Sequence, residues 1–187
     1  QTGDAYDELL AVGIRYRSQE DTRRAGRACR EAIALKPDRP TAYYNLGAAL
    51  STSGHYVEAA QRFLETKERC PMGSELWAKA TAAAFDTMLQ LKECGEVAKP
   101  EWWNDEELKT LSAMVVRAAP NSVPTNKMRA DVLSGGAGHW EAGPRSAVEL
   151  KKAATRYERA ASLCGAPAQK AELARDATWC RSRADAM

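Results

Sequence analysis

The sequence repeats itself with a period of 34 residues, and this periodicity excludes most folds before any single motif is considered. Residues 6–39 and residues 40–73 superimpose without a gap. The aligned pairs are Gly13 with Gly47, Ala25 with Ala59, Cys29 with Phe63, and Pro37 with Pro71. Because one repeat of this length cannot bury its apolar face alone, the period predicts units that stack on their neighbours.

The residue types within each period predict two antiparallel helices. With Tyr6 and Pro40 as position 1, apolar residues at positions 4, 7 and 11 share one face of a first helix. These residues are Leu9, Val12 and Tyr16 in the first segment, and Tyr43, Leu46 and Leu50 in the second. Gly and Ala at positions 8 and 20 allow the two helices to approach closely, and a proline at position 32 ends the second helix. Each segment is therefore predicted to be a helical hairpin.

Both segments resemble tetratricopeptide repeats (TPR). The resemblance is clearest over residues 42–50, which read AYYNLGAAL, and residues 54–60, which read GHYVEAA. It implies an all-α fold: a right-handed α-solenoid of about four helical hairpins, followed by a C-terminal capping helix.

After the second segment the pattern continues with two insertions. A third hairpin is expected over residues 74–122, with an insertion at 94–104, and a fourth over residues 123–166, with an insertion at 135–143. Residues 167–186 carry a single apolar stripe and are expected to cap the last hairpin, which would otherwise expose its apolar side. The chain is therefore predicted to be a single TPR-like domain over residues 1–187.

Capping signals predict where several later helices begin and end. The third hairpin's first helix is expected to run from Ser74 to Glu93. Asn104 is expected to be the N-cap of its second helix, and Glu107 three residues later is expected to complete a capping box. The fourth hairpin's second helix is expected to begin at Pro144, because proline suits the first helical turn.

Charge and hydropathy exclude several classes of protein. Lys and Arg total 27 against 25 Asp and Glu, which leaves a net charge of +2 and predicts no nucleic-acid surface. No apolar run approaches the roughly 18 residues of a membrane helix, so we expect neither a membrane span nor a membrane partner. The chain does not begin with Met, so a targeting segment can lie outside it.

The five cysteines favour an intracellular, cytoplasmic location. They are Cys29, Cys70, Cys94, Cys164 and Cys180, and none forms a C-x-x-C pair. An odd number of cysteines in a chain of this length favours reduced thiols, and one disulfide pair is the alternative.

Catalytic chemistry has little support in the sequence. Neither His55 nor His139 has a second His, Cys or carboxylate at metal-ligand spacing. Residues 135–138 are rich in glycine, but they lack the preceding strand and the Lys of a phosphate-binding loop. We therefore expect a protein that is not an enzyme and has no catalytic residue, cofactor or metal site.

The resemblance implies a concave groove that is lined by the first helix of each repeat and binds ligands through positions 2, 5, 9 and 12. Those residues are Asp7, Leu10, Ile14 and Arg17, then Thr41, Tyr44, Ala48 and Ser51, then Glu75, Ala78, Ala82 and Phe85. The stripe is offset from the packing stripe, so both cannot be buried in one interface. Leu10, Ile14, Tyr44 and Phe85 would form an apolar strip with charged flanks, which suits a short amphipathic peptide or helix. The alternative is that the protein's own chain fills the groove.

One TPR subtype binds the acidic tails of chaperones through a carboxylate clamp of Lys, Arg and Asn side chains. At the clamp positions this sequence has Leu10, Ile14, Asn45, Glu75 and Lys79. Only Asn45 matches fully, and Lys79 matches in charge alone. The chaperone-tail clamp is therefore disfavoured, while Asn45 and Lys79 remain candidate groove residues.

The insertions carry three tryptophans, Trp102, Trp103 and Trp140. Such large apolar surfaces normally find a partner. The indoles either pack on one another and on the edge of the repeats, or form a lateral docking patch for a partner protein.

These observations together predict a non-catalytic protein–protein interaction module that binds a peptide or helix of a partner protein in the concave groove. The alternative is a structural assembly subunit that uses its convex face or its Trp-bearing loop edge and has no exchangeable ligand. The sequence does not identify the partner.

Overall fold

The computed structural model describes residues 4–91, 98–136 and 140–187. Within these ranges the chain forms nine α-helices and no strand. The helices are α1 (Ala5–Ser18), α2 (Thr22–Leu35), α3 (Pro40–Thr52), α4 (Tyr56–Arg69), α5 (Glu75–Gln90), α6 (Asp105–Ala118), α7 (Val123–Ser134), α8 (Ala147–Leu163) and α9 (Pro167–Asp185). The predicted all-α helical-repeat fold is confirmed. None of these nine helices is both long enough and apolar enough to cross a bilayer.

The described helices group into two compact units, α1 to α5 and α6 to α9. In the first unit each helix packs on the next along the chain. In addition α1 contacts α3 and α3 contacts α5, so the first helices of successive hairpins lie side by side. In the second unit α6 packs on α7, α7 on α8 and α8 on α9. The pairing of α5 with α6, and with it the single domain, stays a prediction.

Small residues bring together the helices of the first two hairpins. A Cβ atom added at Gly13 would lie 3.1 Å from Cys29 Sγ and 3.6 Å from the backbone oxygen of Ala25. At Gly47 it would lie 2.9 Å from two ring carbons of Phe63. These residues occupy the aligned positions of the two segments, so the predicted close approach of the helices is confirmed.

The α7–α8 hairpin preserves the same register, and α9 covers it. Ala130, Ala153 and Tyr157 belong to one buried cluster, which also contains Leu173 and Cys180 of α9. Because α9 buries its apolar stripe against α8 and leaves its polar residues exposed, it has the role expected of a capping helix.

The predicted cap of α6 is correct, whereas the predicted start of α8 is wrong. The side chain of Asn104 accepts a hydrogen bond of 3.0 Å from the backbone N–H of Glu107, but the Glu107 side chain does not complete the expected capping box. Helix α8 begins at Ala147, so Pro144 lies outside it. Ser146 and Glu149 form a capping box at its start, with hydrogen bonds of 3.2 and 2.9 Å between each side chain and the other's backbone N–H. The capping box satisfies the backbone N–H groups of Ser146 and Glu149. A proline at the first helical position satisfies no backbone N–H group.

Helix α5 ends at Gln90 rather than at the predicted Glu93. Cys94 and His139 lie outside the described residues, together with parts of both insertions. The predictions for these two residues therefore have no structural counterpart here.

Candidate functional site

The predicted groove residues lie on α1, α3 and α5, which are all in the first unit. Ten of them are half-buried or exposed, and we call these ten residues the α1–α3–α5 face. They are Asp7, Leu10, Ile14, Arg17, Thr41, Tyr44, Ala48, Ser51, Glu75 and Lys79. Since α1 contacts α3 and α3 contacts α5, these side chains come from neighbouring helices of one unit.

Four predicted groove residues are buried, and their assignment to an open surface is corrected. Asn45 is 8% exposed, and Ala78, Ala82 and Phe85 are each 0% exposed. Helix α5 buries nine of its 16 residues, whereas α1 buries two of 14, so equivalent repeat positions differ in their access to solvent. The apolar strip is therefore reduced to Leu10, Ile14 and Tyr44, with the small Ala48 beside them.

Ile14 is the most accessible large apolar residue of the α1–α3–α5 face, with 47% of its surface exposed. Leu10, one turn earlier on α1, is half-buried against a cluster that contains Tyr6, Ala32 and Ala42. The cluster anchors Leu10, so α1 presents one fixed and one accessible aliphatic side chain.

Tyr44 forms the centre of the α1–α3–α5 face. Its ring lies 5.5 Å from the ring of Phe63, at an interplanar angle of 59°. Burial raises the pKa of Tyr44, and the positive charges of Lys79 and Arg17 partly oppose this effect. The phenol is therefore neutral at physiological pH and lies within the fields of a cation from α1 and a cation from α5.

The two cations differ in their partners. Lys79 forms an ion pair of 2.5 Å with Glu75 one turn earlier on α5, and this hydrogen bond lowers the pKa of Glu75. Arg17 forms no ion pair with any residue that the structure describes. Asp7, at the other end of α1 from Arg17, likewise forms no ion pair with a described residue. The face therefore combines an apolar strip with one ion pair, one unpaired positive charge and one unpaired negative charge.

The tryptophans of the insertions pack on one another in the second unit. The ring centroids of Trp102 and Trp103 are 5.8 Å apart, and those of Trp103 and Trp140 are 6.2 Å apart in an edge-to-face arrangement. Trp103 and Trp140 are each 7% exposed, and Trp102 is half-buried. Most of the indole surface of the predicted lateral patch is therefore covered within this unit.

A carboxylate that sequence reasoning missed holds the second insertion in place. The indole N–H of Trp140 donates to Asp105 Oδ1 at 3.0 Å, and Arg145 Nη1 donates to Asp105 Oδ2 at 2.8 Å. Arg145 Nη2 also contacts Asp105, and it donates to the carbonyl of Val132 at 3.0 Å. Hydrogen bonding to Arg145 is the main cause that holds the pKa of Asp105 well below its usual range. No local pattern signals contacts that span 35 to 40 residues of chain.

Four cysteines lie within the described ranges, and they form no disulfide: Cys29, Cys70, Cys164 and Cys180. Burial raises the pKa of Cys29 and of Cys180 to about 11, so both are thiols at neutral pH. Among the described residues, no three His, Cys, Asp or Glu side chains are grouped so that they could hold a metal ion.

No protein-family model matches the chain, and no curated protein matches its sequence. Several solved structures match its fold. A thermophilic TPR protein of Thermus thermophilus is 17% identical, over 96% of this chain and 89% of that chain, with a TM-score of 0.61. MamA from Desulfovibrio magneticus RS-1 is 15% identical, over 99% of this chain and 96% of that chain, with a TM-score of 0.57. A second crystal structure of a MamA protein is 14% identical, over 98% and 88% of the two chains, with a TM-score of 0.56. These similarities establish a TPR-like fold.

Proposed function

We propose that the chain is a non-catalytic protein–protein interaction module whose α1–α3–α5 face binds a short amphipathic peptide or helix of a partner protein. The observation that carries the proposal is the exposure of Ile14, which is 47% accessible beside the half-buried Leu10 and Tyr44. At the neighbouring packing positions of α3, by contrast, the apolar side chains are buried. An accessible apolar strip on adjacent helices is the kind of surface that an amphipathic segment covers.

The chemistry of the face defines the ligand. Covering the exposed part of Ile14 contributes on the order of 1 kcal/mol, because full burial of such a side chain is worth about 1.5–3 kcal/mol. Tyr44 adds a rigid aromatic surface with a polar tip, which is typical of residues that dominate binding energies. The unneutralised Arg17 favours an acidic residue at one end of the apolar segment.

Similarity to TPR structures supports an interaction module in general terms. A cytoplasmic location and the absence of nucleic-acid and membrane partners remain predictions from the sequence, which does not identify the partner. The alternative of an assembly subunit that docks through its tryptophans is less well supported, because Trp103 and Trp140 are buried against neighbouring side chains.

A peptide library that is displayed on phage and selected on the full chain tests the proposal. We expect peptides with an apolar stripe and an acidic flank, and we expect Ile14→Asp to weaken their binding at least tenfold. Leu35→Asp is the matched control, since Leu35 is 54% exposed but lies on α2. Equal affinity of the selected peptides for the Ile14→Asp and Leu35→Asp chains would exclude the α1–α3–α5 face as the binding surface.

A further inference from the structure

Two half-buried arginines of the second unit, Arg129 and Arg156, are held by neutral oxygen atoms rather than by carboxylates. From α7, Arg129 Nη1 donates to the backbone oxygen of Lys109 at 2.7 Å and to Ser112 Oγ at 2.9 Å, both on α6. From α8, Arg156 Nη1 donates to Asn126 Oδ1 of α7 at 3.3 Å. Neither arginine forms an ion pair with a residue that the structure describes. Because charged groups that are partly removed from water are normally paired, these two guanidinium groups lack their usual counter-ions.

The two guanidinium groups come together where α6, α7 and α8 meet. Asn126 and Arg129 are three positions apart on α7, so they share one face of that helix. Asn126 is fully buried, and its side-chain nitrogen donates to two backbone oxygens at 2.9 Å, which directs its Oδ1 atom towards Arg156. Arg159, exposed and one turn after Arg156 on α8, donates to Asn121 Oδ1 at 2.7 Å and has no ion pair with a described residue. We call Arg129, Arg156 and Arg159 the arginine cluster.

The arginine cluster has no neighbouring carboxylate to neutralise it within the described part of the chain. No Asp or Glu lies three or four positions from any of the three arginines on its own helix. Burial lowers the pKa of Arg129, the positive charge of Arg156 lowers it further, and the charge of Glu149 opposes both effects. Glu149 is already paired with Lys109 Nζ at 2.9 Å. Since a guanidinium group stays protonated in proteins, the cluster repels itself, and an anion placed between its members would relieve the repulsion.

The arginine cluster also keeps N–H groups free for a ligand. Nε and Nη2 of both Arg129 and Arg156 donate to no described residue, and none of these nitrogens is buried without a partner, so they reach solvent. The Nε–Nη2 edge of a guanidinium group carries two parallel N–H groups that match two oxygens of a phosphate. Two such edges match a phosphate dianion in charge as well as in oxygen atoms. A carboxylate carries one charge and would leave one guanidinium group unneutralised.

We propose that the arginine cluster is a binding site for a phosphate group, supplied either by inorganic phosphate or by a phosphate monoester. Arg129 and Arg156 bind the phosphate oxygens through their free N–H groups, and Arg159 adds positive charge at the rim. The site lies in the second unit, so it does not depend on the function proposed for the α1–α3–α5 face.

Isothermal titration calorimetry of the full chain at constant ionic strength tests the proposal, with inorganic phosphate, O-phosphoserine and acetate as the probes. We expect saturable binding of both phosphates at one site per chain, and binding of acetate that is weaker by about tenfold or more. Tighter binding of O-phosphoserine than of inorganic phosphate would identify a phosphorylated side chain as the source of the group. Equal or weaker binding of O-phosphoserine would identify free phosphate.

Variants of Arg156 show whether the cluster is the site. We expect Arg156→Met to weaken phosphate binding by about tenfold or more, because it removes one of the two guanidinium edges. Arg156→Lys keeps the charge and a donor for Asn126, so it should bind phosphate more tightly than Arg156→Met but more weakly than the parent chain. It also keeps the test decisive if Arg156→Met fails to fold, which circular dichroism without phosphate reports.

Arg175→Met is the matched control, since Arg175 is exposed on α9 and its loss changes the net charge equally. This variant should bind phosphate as the parent chain does. The proposal is overturned if the parent chain shows no saturable phosphate binding, or if acetate binds as tightly as phosphate. It is also overturned if the Arg156 variants bind phosphate as tightly as the parent chain, or if Arg175→Met weakens binding as much as Arg156→Met.

Discussion

Replacing Gly47 by Ala tests how closely the two helices of a hairpin approach each other. Gly47 lies on α3, and a Cβ atom there would be 2.9 Å from two ring carbons of Phe63 on α4 and 3.1 Å from a third. Carbon atoms pack best at about 3.5–4.0 Å, so either the ring or the helix has to move. The substitution therefore disrupts the contact between α3 and the Phe63 ring of α4 in the second hairpin.

Two effects of opposite sign set the magnitude. Ala is about 1 kcal/mol better than Gly inside a helix. Overpacking a well-filled core costs about 1–3 kcal/mol. At Gly26 the first effect acts almost alone, because a Cβ atom would lie 3.4 Å from the flexible end of Arg30 and 3.7 Å from Leu46. We expect Gly26→Ala to stabilise the chain and Gly47→Ala to be about 1–3 kcal/mol less stable than Gly26→Ala.

Urea denaturation followed by circular dichroism measures the free energy of unfolding of both variants. Phe63→Leu removes the ring, so it should lower the cost of Gly47→Ala when the two substitutions are combined. If Gly47→Ala stabilised the chain as much as Gly26→Ala, the close contact between α3 and α4 would be refuted, and with it the physical reason for the repeating small residues.

Two predictions concern the second unit. Tyr157→Phe should lower the free energy of unfolding by about 1–2 kcal/mol in the same urea assay, because Tyr157 donates a buried hydrogen bond of 2.6 Å to Asp131; an unchanged value would contradict this. Hydrogen bonds from Lys109 and from the backbone N–H of Ser146 lower the pKa of Glu149 to about 2. A lowered carboxyl pKa stabilises the fold above the usual value near 4.5, and this stability is lost as the pH falls towards 2. Lys109→Met should therefore flatten the loss of stability between these pH values in a pH series, and an identical pH profile would show that the ion pair does not contribute.

Local patterns in the sequence predict the hairpins well. The register of Gly13 with Ala25, and of Ala130 with Ala153 and Tyr157, follows from residues that recur at fixed spacing on two helices. Steric requirements at a helix crossing act over one or two turns, so they leave a signature that a single sequence displays.

Burial around α5 depends on more distant packing, and the repeat pattern does not predict it. Position 12 of the repeat is half-buried as Arg17 and Ser51 but fully buried as Phe85. The same limit applies to Asp105, whose partner Arg145 is 40 residues away. Long-range contacts depend on the assembled helices, and no spacing rule connects their residues.

The start of α8 shows a competition between two local signals. Pro144 favours a helix start, but the box of Ser146 and Glu149 satisfies backbone donors on both sides of the cap. The stronger signal lies two residues after the weaker one, and the capping box rather than the proline sets the start of α8.

The two isoleucines of this chain, Ile14 and Ile33, allow a direct measurement of where a ligand binds. Ile14 is exposed on the α1–α3–α5 face, whereas Ile33 packs against buried residues of the first unit. A chain labelled with ¹³C at the isoleucine δ1 methyl groups should give two resonances. When a peptide selected from the displayed library is added, we predict a saturable shift of the Ile14 resonance that clearly exceeds any shift of Ile33. A peptide that binds while the Ile14 resonance stays in place would contradict the account.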